Sequence, residues 1–130
     1  ISLISLHEAG LNENFPHSLI EETKGMHVPE LGKRTDFRTL PLVTIDGLDA
    51  RDFDDAVHAE KTDHGYCLTV AIADVSYYVR PYSPLDKEAQ KRGNSTYFPD
   101  RVVPMLPEAL SNDLCSLRPQ EPRACLAVQM

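Results

Sequence analysis

The stretch TIDGLDARDFDDAV, Thr44 to Val57, decides how the rest of the chain is read. Asp46, Asp49, Asp52, Asp54 and Asp55 fall within ten positions, with Arg51 the only cation among them. The flanks are apolar: Leu42, Val43 and Ile45 before, Phe53, Ala56 and Val57 within and after. Two carboxylates about 4 Å apart repel by roughly 4 kcal/mol in a partly shielded protein environment. Such a crowd has three outlets: it splays into water, takes up protons, or binds cations. The flanks, read as strands LVTI and DAVHAEK, anchor the run at a sheet edge and oppose simple splaying. In an extended stretch Asp52 and Asp54 point the same way and Asp55 faces across. Gly47 permits a tight turn that folds Asp46 back toward them. All-oxygen, carboxylate-rich sites suit Mg²⁺ or Mn²⁺. Two such ions can clamp the attacking and leaving oxygens of a phosphoryl transfer. An EF-hand is excluded, because its fifth position counted from Asp52 is Ala56 and its third counted from Asp46 is Leu48. On residue types alone, metal-dependent chemistry, a structural cation site and a solvated acidic turn all stay open.

The chain around this run has the size and balance of one modest globular domain: 130 residues, 42% hydrophobic and 25% charged. No apolar run approaches the ~20 residues of a membrane span. The opening ISLISLHEAG has no basic segment and no small-residue cleavage site, and both ends read as those of a piece cut from a longer protein. Cys67, Cys115 and Cys125 show no CxxC spacing, which predicts reduced, mostly buried thiols in a cytoplasmic protein. The five histidines are scattered, without metal-ligand spacing. A formal net charge of −7 argues against this chain alone gripping nucleic acid, since phosphates need Lys and Arg. A nucleic-acid substrate would require bound cations or further domains.

The punctuation predicts an α+β fold, a mixed sheet flanked by helices. Residues 1–9 read as a helix closed by Gly10, and FPHSLIEETKG as a second with Pro16 in its first turn. MHVPELGKRTDFRTLP reads as a connector. DAVHAEK and YCLTVAIAD flank TDHG as a hairpin, and the second strand, apolar nearly throughout, is predicted central and covered on both faces. SPLDKEAQKRG carries Ser83 as N-cap, Pro84 at the first helical position and Gly93 as stop. Its basic residues Lys87, Lys91 and Arg92 suit the helix dipole and solvation. NSTYFPDRVVPMLP is predicted extended, PEALSNDL a short helix and ACLAVQM a final strand.

Read in order, TIDGLDARDFDDAV, VAIADVSYYV and SPLDKEAQKRGNSTYFPDRVVPMLPEALSNDLCSLRPQEPR resemble the RNB catalytic domain of the ribonuclease II/R family. The resemblance is continuous over residues 41–130 and weaker over 1–40. It implies a helical connector over 1–40 leading into the N-terminal part of that domain over 41–130. The implied activity is processive 3′→5′ hydrolysis of single-stranded RNA to nucleoside 5′-monophosphates with divalent metal, usually Mg²⁺. Asp46, Asp52, Asp54 and Asp55 match the family's four aspartates. The resemblance assigns Asp46, Asp52 and Asp55 chiefly as metal ligands, and gives Asp54, also at the metals, the most direct part in catalysis. Asp49 falls outside the four and reads as a turn residue. Tyr97 matches the tyrosine that stacks on the base at the RNA 3′ end, while Phe98 and the Tyr77–Tyr78 pair read as packing. The remaining catalytic residues and the flanking cold-shock and S1 RNA-binding domains are expected elsewhere in a full-length protein, so this piece is expected to be inactive alone. Two other classes stay in view: a catalytically silent RNA- or partner-binding module with the same fold, and a non-nuclease metal phosphohydrolase.

Overall fold

The computed structural model describes residues 2–130. Helix α1 (Ser2–Glu8) ends at Gly10, whose φ of 65° is left-handed. Helix α2 (His17–Lys24) begins just after Pro16 and stops at Gly25. The connector then runs to strand β1 (Asp55–Thr62), which turns back into β2 (Gly65–Ala73) with Asp55 opposite Ile72 and Thr62 opposite Gly65. Strand β5 (Cys125–Gln129) pairs antiparallel with the other edge of β2, Cys125 opposite Ala73. The order β1-β2-β5 puts β2 in the centre, as its apolar sequence predicts. Between β2 and β5 lie the short α3 (Val75–Tyr78), α4 (Pro84–Arg92) and a two-stranded ribbon, β3 (Thr96–Phe98) with β4 (Arg101–Val103). A fold of helices and antiparallel sheets is the predicted α+β class.

Only one face of the three-stranded sheet is covered. Thr69, Ala71 and Ala73 are buried, while Ile72, one step out of phase, is 46% exposed beside exposed Leu126 and Val128. The expectation of a strand covered on both faces is therefore corrected. Buried Leu19, Tyr78, Leu85, Leu106, Leu110 and Leu114 cluster with Ala73, and no described element covers the opposite face with them. Phe15, Met26 and Val28 pack on the same cluster, so the first forty residues share its core.

LVTI is not a strand. Val43 alone pairs, through Val43 N–H to Val57 O (3.0 Å) and Val57 N–H to Val43 O (2.9 Å). Ile45 is 84% exposed, so nothing packs against the run to extend the ladder. The capping of α4 is close to the predicted one: Ser83 Oγ accepts from Asp86 N–H (3.1 Å). The reciprocal bond lands one residue early, on Tyr82 N–H (2.7 Å). PEALSNDL starts as a helix and widens to a π-helical turn over Leu110–Leu114, in which Cys115 N–H reaches back to Leu110 O (2.8 Å).

Arg92 is not a solvated dipole partner. Its side chain is 9% exposed, pairs with Glu88 (2.9 Å) and lies over the Phe15 ring (3.7 Å). It also donates to the carbonyls of Asn12, Asn14 and Pro104, which ties the N-terminal segment to the end of β4. A second tie joins the connector to the sheet: Arg34 Nη2 donates to Asp74 Oδ2 (2.8 Å), whose other oxygen accepts from Ser76 Oγ (2.6 Å). Burial pushes the Asp74 carboxyl up, but the Ser76 hydroxyl, the Arg34 guanidinium and the Tyr77 N–H more than offset it and hold the group below its ordinary value.

Two outcomes follow for stability. Leu110→Ala, at a site with no exposure, is expected to lower the unfolding free energy by about 2–5 kcal/mol in urea titrations. The Asp74 contribution is complete above the unfolded carboxyl value of about 3.9 and is lost as the pH falls through the lower folded-state value. Asp74→Asn should therefore be less stable at neutral pH and show a shallower acid limb of melting temperature than the parent chain.

Candidate active site

The backbone of the acidic run is fixed by groups far away in sequence. Ser116, fully buried, donates its hydroxyl to Arg51 O (2.7 Å) and accepts from Phe53 N–H (3.1 Å). Leu117 N–H donates to Phe53 O (2.8 Å), and Ala73 N–H to Asp54 O (2.9 Å). Asp52 is thus held between two peptide groups that share one hydroxyl, and Asp54 and Asp55 enter β1 against the end of β2. Asp46 comes from the other side. The Val43–Val57 bridge brings its segment to β1, and the Asp46 charge acts on Asp54. The loop tip closes with Ala50 N–H on Gly47 O (3.0 Å) and carries Leu48 and Asp49 into solvent. Asp49 is the turn residue its position suggests. Gly47 is not needed for the turn, because its φ is not left-handed and a Cβ there would meet nothing.

Asp54 feels the other three matched aspartates. The Asp54 carboxyl is pushed above the ordinary value, first by partial burial, then by the charges of Asp52, Asp55 and Asp46. Tyr97, on β3, donates its hydroxyl to Asp52 Oδ2 while its ring stays 62% exposed. That hydrogen bond, partial burial and the charges of Asp52 and Asp54 raise the phenol above its usual range, against a smaller opposing effect of Ser95. Asp46, Asp52 and Asp55 thus lie within electrostatic reach of Asp54, and Tyr97 is hydrogen-bonded to Asp52. Phe98 points away from Tyr97 and is half-buried, and Tyr78 is buried edge-on against Tyr77 at 5.0 Å, as the packing readings expect.

Sequence reasoning missed Ser116 and Asp74. A serine inside the run LCSL signals a buried hydroxyl that needs partners, but nothing local says that they are Arg51 and Phe53. The neighbouring Cys115 thiol is pushed up to about 12 by burial and by the charges of Asp54 and Asp74, so it stays protonated and is no nucleophile. Arg123 is occupied by Asp113 (2.7 Å) and Glu121 (2.7 Å), and Arg118 by the same two carboxylates. A cleft of 660 Å³ lies between the connector and residues 117–125 and meets the acidic stretch at Thr44 and Ala56.

The donor set fits a hard divalent cation in chemistry: carboxylate oxygens, with neither thiolate nor imidazole among them. Among the described residues no three acidic, His or Cys side chains close on a common point as a finished metal site. The carboxylates are within electrostatic reach of one another and would have to be drawn together by the ion.

Fold and site together define an RNB domain. The RNB domain family model matches residues 34–130, and the chain belongs to that family. Within it, the similarity runs to ribonuclease R. The Vibrio parahaemolyticus enzyme is 68% identical over 109 residues, covering 82% of this chain and 13% of the relative. The Escherichia coli enzyme is 59% identical over 121 residues, 89% of this chain and 15% of the relative. The solved structure of Mycoplasma genitalium RNase R in complex with double-stranded RNA superposes with a TM-score of 0.90 at 32% identity, covering 95% of this chain and 23% of that one. The chain thus spans about a seventh of the length of these two curated relatives.

Calorimetry with Mn²⁺ should show saturable binding that disappears when Asp46, Asp52, Asp54 and Asp55 are all changed to Asn. Equal binding by the variant would place any cation elsewhere.

Proposed function

We propose that the protein containing this chain is a cytoplasmic, metal-dependent exoribonuclease that degrades single-stranded RNA processively from its 3′ end and releases nucleoside 5′-monophosphates. The observation that carries this reading is the gathering of four carboxylates beside an exposed tyrosine that is hydrogen-bonded to one of them. Asp46, Asp52 and Asp55 would hold Mg²⁺, with Mn²⁺ as a substitute. When bound, the ion would supply positive charge to offset phosphate and lower the pKa of a bound water. Asp54, whose carboxyl is pushed up first by partial burial and then by its neighbours' charges, would handle the proton of that water. Tyr97 offers its exposed ring as a platform for the terminal base, a contact worth about 1–3 kcal/mol and tolerant of sequence. Its hydroxyl on Asp52 sets the distance between the base platform and the carboxylates.

The chain alone is expected to be inactive. It carries a net charge of −7, and Arg118 and Arg123 are engaged with Asp113 and Glu121. Flanking cold-shock and S1 RNA-binding domains in the full-length protein would supply the grip on RNA.

Asp54→Asn in the full-length protein should lower RNA hydrolysis by roughly 10²–10⁴-fold, the range for a positioned acid–base group, with RNA affinity largely kept. Near-normal turnover would show that another aspartate does the chemistry. A panel of single-stranded RNA, single-stranded DNA and a small phosphate ester separates the classes. RNA bound without product marks a silent module, and turnover of the ester alone marks a different phosphohydrolase.

A further inference from the structure

We propose that Ser116 is the positioning residue of the acidic site: its buried hydroxyl sets the direction of Asp52 by holding the peptide groups on both sides of it. The inference rests on the metal-dependent hydrolysis proposed above and adds a residue that touches neither RNA nor metal.

A carboxylate is aimed by its backbone. Asp52 lies between Arg51 O and Phe53 N–H, and the same oxygen atom serves both, donating at 2.7 Å and accepting at 3.1 Å. Few side chains can do this. A hydroxyl is a donor and an acceptor at one atom, and it must be short to fit a position with no exposure. The hold continues forward, because Leu117 N–H takes Phe53 O and Ala73 N–H takes Asp54 O. The loop residues before it have only the local turn of Gly47 and Ala50 and the single Val43–Val57 pair. Repulsion among the carboxylates would turn Asp52 outward if that anchor were released, since the peptides on either side would be free to rotate. Tyr97 depends on the same anchor, because its hydroxyl is bonded to Asp52. Ser116 therefore governs the spacing between the base platform and the acidic cluster as well as the aim of one carboxylate.

The widened turn just before it delivers the serine. Cys115 N–H closes on Leu110 O, and Ser116 N–H on Asp113 O (2.9 Å), so the turn ends with the hydroxyl directed at the acidic loop. Arg123 grips Asp113 through both its backbone and its side-chain oxygen (2.9 and 2.7 Å) and steadies that turn from outside.

The test uses the full-length protein with Ser116→Ala, and Leu85→Ala as a comparator that loses core packing without removing any hydrogen bond to the loop. Mn²⁺ affinity is read by electron paramagnetic resonance, and kcat and KM on oligo(A) RNA are read separately below the melting temperatures. Ser116→Ala is expected to weaken Mn²⁺ binding and lower kcat by about 10–100-fold, as for partners that orient metal ligands, with KM within a factor of about two. Amide exchange at Phe53 should accelerate. Leu85→Ala should lose melting temperature yet keep both metal affinity and kcat. Wild-type metal affinity and kcat in Ser116→Ala overturn the inference, as does an equal loss in Leu85→Ala. If Ser116→Ala does not fold, Ser116→Cys, similar in size but a weaker hydrogen-bonder, takes its place, and unchanged affinity and kcat there overturn the inference equally. A wild-type protein that binds no Mn²⁺ and cleaves no RNA defeats the hydrolysis reading and this inference with it, whereas an active wild type matched by its variants defeats the positioning role alone.

Discussion

Four carboxylates that repel one another must be kept side by side, and the structure meets that constraint with backbone hydrogen bonds rather than countercharges. Arg51, the cation nearest in sequence, is exposed, and the arginines of the following loop are tied to Asp113 and Glu121. What opposes the repulsion is geometry: β1 fixes Asp55, the end of β2 fixes Asp54, and Ser116 with Leu117 fixes the peptides around Asp52. Burial first, and then the charges of Asp52, Asp55 and Asp46, push the Asp54 carboxyl up. The backbone of the run is held in place although its carboxylates do not close on a common point, so the reorganisation left for any cation would fall on the side chains.

The same economy governs the rest of the molecule. Arg92 and Arg34 are spent on joining the first forty residues to the α4–β4 region and to the sheet. Arg101 is likewise paired with Glu13 at 2.9 Å. With these arginines paired to its own acids and a formal net charge of −7, the chain has little positive charge to offer a polyanion.

Elements whose signals are local were legible in the sequence. Two strand-like runs around TDHG marked the β1–β2 hairpin, Ser83 and Gly93 bounded α4, and ACLAVQM marked β5. LVTI failed because being a strand is a property of pairing, and only Val43 found a partner. The covering of β2 failed for a related reason: residue type tells how apolar a strand is, not how many layers lie over it. The widening of PEALSNDL depends on where Cys115 and Ser116 must arrive, which the helix's own residues do not state. The carboxylates were visible as a cluster from spacing, but Tyr97 entered through family resemblance, since no local pattern links positions 52 and 97. Ser116 was invisible for the same cause, and it is the residue on which the aim of Asp52 turns.

The staple between Ser116 and the acidic loop joins residues 63 and 65 positions apart. Long closures of this kind form late, after local hairpins and helices have already condensed. During synthesis the aspartates emerge well before the serine, and until it arrives they are a loose, self-repelling loop. The acidic loop is therefore fixed only when the chain has passed through α4, the ribbon and the widened turn in the correct order. A polypeptide cut or misfolded anywhere along that span would keep every acidic residue and still lack their common frame.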